Sequence, residues 1–172
     1  MWKISAILLS MAYVTFTNLK CEMIDRKYGK FTTCHIKAVN RTHKYLDVYA
    51  KLKPNIFPIN ELKIKLEPMR KDNGFKPFFM SMTVDFCKYM RNPNIANIIA
   101  RELHKSFLYA TNLNHTCPYN HDFIVEKHWT GNLETSISRY IPVPNGDYAL
   151  FSTWIIANTS RARTKLYFRI FN

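Results

Sequence analysis

Tyr45-Leu46-Asp47-Val48-Tyr49-Ala50-Lys51-Leu52-Lys53 alternates without a break. Leu46, Val48, Ala50 and Leu52 fall on one face; Asp47, Lys51 and Lys53 fall on the other, beside Tyr45 and Tyr49. Successive strand side chains point to opposite sides, so this stretch reads as a half-buried strand. The same period recurs along the chain. Leu62, Ile64 and Leu66 oppose Lys63, Lys65 and Glu67. Phe78, Met80, Met82, Val84 and Phe86 oppose Phe79, Ser81, Thr83, Asp85 and Cys87, which predicts one strand over 78–87. Leu150, Trp154 and Ile156 alternate with Ala149, Phe151 and Ile155, a strand apolar on both faces. Thr164, Leu166, Phe168 and Ile170 oppose Arg163, Lys165, Tyr167 and Arg169. Asn40-Arg41, Pro54-Asn55, Asn73-Gly74, Asn145-Gly146 and the stretch Asn158 to Ser160 are turn signals between these runs. The pattern is that of antiparallel sheets with one solvated face.

One segment departs from period two. Asn92-Pro93 supplies a capping side chain and a proline at the first helical position. Ile95, Ile98, Ile99, Leu103 and Phe107 follow at helical spacing, with Arg101, Glu102 and Lys105 largely off that stripe. This predicts one amphipathic helix over 93–111. About eight strands and one helix make a mainly β chain, a two-sheet antiparallel β-sandwich with a covering helix.

At 172 residues the chain is sized for one domain. Lys and Arg number 25 against 12 Asp and Glu, a formal net charge of +13. No polybasic tail carries this charge, so it belongs to the domain surface and suits anionic partners. Only four glycines argue against a Gly-rich nucleotide loop. Met1-Trp2-Lys3 followed by an apolar run from Ile4 to Val14 reads as a secretory signal peptide. Cleavage is expected between Ala12 and Thr17, leaving a single domain over 18–172. Secretion disfavours nucleic acid as a partner, despite the charge.

The four cysteines, Cys21, Cys34, Cys87 and Cys117, suit an oxidising compartment and allow three pairings. The short spacing of the first two suits neighbouring strands, and the last two bracket the predicted helix. Cys21–Cys34 and Cys87–Cys117 are therefore expected. Without C-x-x-C or zinc-finger histidine spacing, no metal or cofactor is expected. Asn40-Arg-Thr42, Asn114-His-Thr116 and Asn158-Thr-Ser160 are glycosylation sequons.

The sequence carries no catalytic signature: G-x-S-x-G, H-E-x-x-H, P-loop and dinucleotide glycine motifs are all missing. A non-enzymatic role is expected. His115, His121 and Asp122 form the best candidate for a reactive or metal site, weighed against an ordinary surface loop. Aromatic residues make up 15% of the chain, and seven methionines add adaptable apolar volume. If the sheets splay, Leu46, Val48, Leu52, Leu62, Ile64, Leu66, Phe78, Met80, Met82, Val84 and Phe86 line a cavity from the first strands. Ile99, Leu103 and Phe107 face it from the helix, and Leu150, Trp154, Leu166 and Phe168 from the last strands. Lys63, Lys65, Arg70, Lys71 and Lys76 are candidates for a basic rim.

Several ordered blocks carry a family resemblance. They include Phe16-Thr-Asn-Leu-Lys-Cys21, Asn73-Gly-Phe-Lys-Pro-Phe78, Thr83-Val-Asp-Phe-Cys-Lys-Tyr89, Asn114-His-Thr-Cys-Pro-Tyr119 and Pro144-Asn-Gly-Asp-Tyr148. Together they resemble a large insect secreted family of unknown function, expanded in flies and including CheB-like chemosensory proteins. Cys87 before the helix, Cys117-Pro-Tyr, and Pro142-x-Pro144-x-Gly146-x-Tyr148 are similar to the ganglioside-activator branch of the ML lipid-recognition superfamily. That likeness implies a two-sheet cup for lipid, with Cys87–Cys117 bracing its rim. In that branch an N-terminal cysteine pairs with the final strand, whereas Thr164 to Phe171 here contains none. The leading expectation is a secreted, monomeric carrier or presenter of lipids, fatty acids or pheromones. The alternative is a glycosylated basic module that docks a receptor, a cuticle component or an anionic membrane without a ligand cavity.

Overall fold

The computed structural model describes residues 13–41, 43–131 and 143–171. Nine strands appear among them: β1 (Tyr13–Met23), β2 (Gly29–Ala38), β3 (Lys44–Leu52), β4 (Leu62–Lys71), β5 (Phe75–Pro77), β6 (Met82–Asp85), β7 (Phe123–Trp129), β8 (Gly146–Ile156) and β9 (Thr159–Phe171). Two helices, α1 (Phe86–Arg91) and α2 (Ile98–Phe107), lie between β6 and β7.

Every strand pairing is antiparallel. The larger sheet runs β1-β9-β8-β4, with β5 and β6 on the far side of β4. β6 pairs with Lys63–Leu66 and β5 with Met69–Lys71, so the two occupy successive stretches of that edge. The smaller sheet runs β2-β3-β7. The expected two-sheet antiparallel architecture is what forms.

Turn chemistry explains the hairpins. Asn73 and Gly74 both have positive φ, 49° and 99°, at the β4–β5 turn. Ala157 and Asn158 do the same between β8 and β9, at 51° and 57°. Two consecutive left-handed residues match the twist of the flanking strands, and Asn and Gly adopt that conformation most readily. At the start of β2 a different constraint acts, because a Cβ on Gly29 would collide with the Lys51 carbonyl oxygen.

Two buried clusters fill the space between the sheets. Leu62, Ile59, Tyr119, Phe86 and Phe123 belong to one, and Val14, Phe16, Leu46, Tyr148 and Leu166 to the other. Both disulfides join the expected partners, Cys21–Cys34 and Cys87–Cys117. The first ties edge strand β1 of one sheet to edge strand β2 of the other. The second ties α1 to the loop preceding β7.

Three expectations are corrected. The strand over 78–87 is only Met82–Asp85. Phe79 has φ 70°, a left-handed conformation that breaks an extended run, and Met80 is exposed. Phe86 and Cys87 then belong to α1, because the Asp85 carboxylate accepts the Lys88 backbone N–H and caps a helix there. The single helix over 93–111 is shorter as well. Asn92 caps only a 3-10 turn, Pro93–Ile95, and Ala96 is extended. α2 starts afresh at Ile98, with the Asn97 side chain accepting from Ala100 N. Ile95 and Ile98, assigned to the buried stripe, are exposed.

Residues 1–12 of the expected signal peptide lie outside the described residues. β1 begins at Tyr13, five residues before the expected domain start, and places Val14 and Phe16 in the core.

Candidate functional site

Period two in β4, β8 and β9 sends Ile64, Leu66, Leu150, Trp154 and Leu166 to the inner face of the larger sheet. β3 and β7 contribute Leu46, Val48 and Val125 from the smaller one. On α2, Ala100, Leu103, His104 and Phe107 recur at three- and four-residue intervals, so they share one face. These three walls, with Val84 of β6 and Phe86 and Tyr89 of α1, surround an apolar cavity of about 170 Å³. A neighbouring void of about 50 Å³ shares Val48, Leu113, Val125, Trp154 and Thr164 with it.

Eleven of the eighteen expected cavity residues line the main cavity: Leu46, Val48, Ile64, Leu66, Val84, Phe86, Leu103, Phe107, Leu150, Trp154 and Leu166. The others are placed elsewhere. Leu52 lines the smaller void, and Leu62 is fully buried within the packed core. Phe78 and Phe168 pack their rings against Tyr148. Ile99 is half-buried off the lining, and Met82 borders a separate cleft beside Asn97. Met80 is 78% exposed, the plainest miss.

The sequence reading overlooked the polar residues on the cavity wall, Tyr89, His104, Thr111, Ser152 and Thr164. His104 and Tyr89 both line it, and Tyr89 Oη lies 2.8 Å from His104 Nδ1. His104 Nε2 is buried and has no hydrogen-bond partner. Burial lowers the imidazole pKa below its usual value and raises that of the Tyr89 phenol. Spacing was the available signal: His104 sits four residues after Ala100 and three before Phe107. A second buried histidine, His128, is sandwiched between Phe107 and Phe16 and hydrogen-bonds the Ser106 carbonyl through Nε2 at 2.9 Å. Desolvation pushes its pKa down to about 4, against the opposing effect of the Ser106 bond.

None of the five candidate rim residues lines the cavity. Alternation sends Lys63 and Lys65 to the outer face, where they contact Asn158 and Glu67. Lys71 and Lys76 belong to the exposed β4–β5 hairpin, with Lys76 against Asp72. Arg70 holds its guanidinium over the Phe78 and Tyr148 rings.

The His115, His121 and Asp122 group does not converge. The two imidazoles approach Nε2 to Nε2 at 2.7 Å. Asp122 turns its carboxylate to the Tyr49 hydroxyl and the Leu52 N–H, both at 2.8 Å. Among the described residues no group of three or more His, Cys, Asp or Glu is placed to hold a metal ion. Asn40, Asn114 and Asn158 are all exposed.

The stretch from Ile64 to Leu150 supplies the helices, β5 to β7 and much of the cavity wall. It is also the stretch, residues 64–150, matched by the family model described as a protein of unknown function, DUF1091. This chain belongs to the DUF1091 family. No curated protein matches the chain. The DUF1091 segment contains His104, Tyr89 and the Cys87–Cys117 disulfide. Leu19, Leu46, Val48, Ser152, Trp154, Thr164 and Leu166 complete the cavity from outside it. No helix among the described residues is long and apolar enough to cross a membrane.

Proposed function

We propose that this protein is a secreted, non-enzymatic carrier or presenter of a hydrophobic small molecule held between its two sheets. The observation that carries the reading is the apolar cavity of about 170 Å³ under α2. An apolar cavity of roughly 150 Å³ already takes up benzene. Each buried methylene adds about 0.8 kcal/mol, so a short hydrocarbon binds usefully without many polar contacts. Two disulfides are compatible with an extracellular setting. The resemblance to CheB-like chemosensory proteins and to the ML superfamily supports a pheromone or lipid-derived ligand, and the exposed sequons are offered as glycan acceptors.

Native mass spectrometry of the protein secreted from insect cells tests this. The expected result is an apolar species that co-purifies with the protein or is taken up when offered. A chain that neither carries nor takes up any hydrophobic molecule overturns it. A second reading rests on the cationic outer face of the larger sheet, where Lys63, Lys65, Lys165 and Arg163 project. It makes the protein a docking module for anionic surfaces. Binding to anionic vesicles that weakens steeply with added salt would favour it, since exposed charges are screened over about 8–10 Å at physiological ionic strength.

A further inference from the structure

We propose that the cavity selects a neutral, mostly hydrocarbon molecule carrying one hydrogen-bond acceptor oxygen, such as a short ketone, ester or alcohol, and that His104 is the residue that reads this oxygen. The inference rests on the carrier reading and specifies its ligand.

The tautomer follows from the partner. A phenol O–H is a far better donor than acceptor, so Tyr89 donates to His104 Nδ1 at 2.8 Å. In the neutral ring the hydrogen then sits on Nε2. That nitrogen is buried without an acceptor, on a residue that lines the cavity. Buried donors are rarely left unpaired, and an orphan beside an apolar void is an unfilled half of a hydrogen bond. Thr111, Ser152 and Thr164 also bring hydroxyls to these walls. Thr111 Oγ1 donates to the Ile124 carbonyl, and Thr164 Oγ1 accepts from Trp154 Nε1.

Charge and size narrow the ligand further. Among the described residues the lining contains no Lys, Arg, Asp or Glu. A carboxylate placed there would be desolvated with no cation to pair it, which is strongly unfavourable. Burial also keeps the His104 imidazole neutral. Fatty carboxylates, expected from the basic surface, therefore do not suit this cavity. A volume of about 170 Å³ fits one ring or a short chain, not a whole lipid.

The test titrates the secreted protein with heptane, 2-heptanone and heptanoate, following cavity methyl resonances by NMR. In the wild type, 2-heptanone should bind about ten-fold tighter than heptane, and heptanoate weakest. His104→Phe should bring the ratio of ketone to heptane affinity down to about one. His104→Gln, which keeps a side-chain N–H, should retain part of the preference and guards against a variant that fails to fold. Equal wild-type affinities for heptane and ketone overturn the proposal and leave the carrier reading intact. So does a ketone preference that survives His104→Phe, or a wild type that favours heptanoate. Failure of all three probes to bind overturns the carrier reading and this proposal together.

Discussion

The inner and outer faces of the six-stranded sheet are made by the same strands in alternation, yet they obey different physics. Inward, Ile64, Leu66, Leu150, Trp154 and Leu166 meet the cavity, and among the described residues the titratable groups on its lining are His104 and Tyr89. Outward, Lys65 pairs with Glu67 at 2.9 Å, Lys165 lies over the Phe151 ring, and Arg163 approaches Glu22. A one-residue step along a strand separates a place where an unpaired donor is costly from one where a charge is nearly free. The Lys and Arg side chains of these strands thus belong to the outside, and the cavity lining among the described residues carries none.

This contrast can be broken most severely from within. Phe16 is fully buried beside His128, so Phe16→Ala should lower unfolding free energy by about 3–5 kcal/mol, measured by urea denaturation. Acid attacks the same place. His128 titrates near 4 in the folded chain against 6.5 when free, so the unfolded chain binds the extra proton. Stability is therefore complete above pH 6.5 and falls as pH drops toward 4. A gap of about 2.5 pH units corresponds to about 3 kcal/mol. Urea midpoints across that window should decline in the wild type and much less in His128→Gln. The outer face should be far more forgiving. Lys165→Ala should cost at most about 1 kcal/mol through its contact with Phe151. Lys65→Ala should cost less again, and raising the salt should remove that difference.

Where local pattern and tertiary packing agreed, the sequence was readable. β3, β4, β8 and β9 follow from alternation alone, and the cysteine spacing led to both disulfides. The region 78–98 was harder because local signals competed. Phe78 to Cys87 keeps perfect alternation, yet Pro77, the left-handed Phe79 and the Asp85 cap divide it. Asn92 and Asn97 are both genuine caps five residues apart, and periodicity cannot say which begins the longer helix. Choosing Asn92 placed Ile95 in the buried stripe; Leu103 and Phe107 were read on the inner face, but Ala100 and His104 beside them were not. The contact between Tyr89 and His104 escaped notice because the two stand fifteen residues apart on different helices. No one-dimensional pattern records that meeting.

The two disulfides sit on opposite flanks of the sandwich. Cys21–Cys34 staples β1 to β2, and Cys87–Cys117 staples the β6 side to the approach to β7. Both flanks are therefore fastened covalently. Residues 87–117 form a closed covalent loop, and α2 rides inside it. The helix that lines the cavity is thus held on a fixed tether. Its permitted travel is set by the slack in that loop, and reducing Cys87–Cys117 would enlarge it.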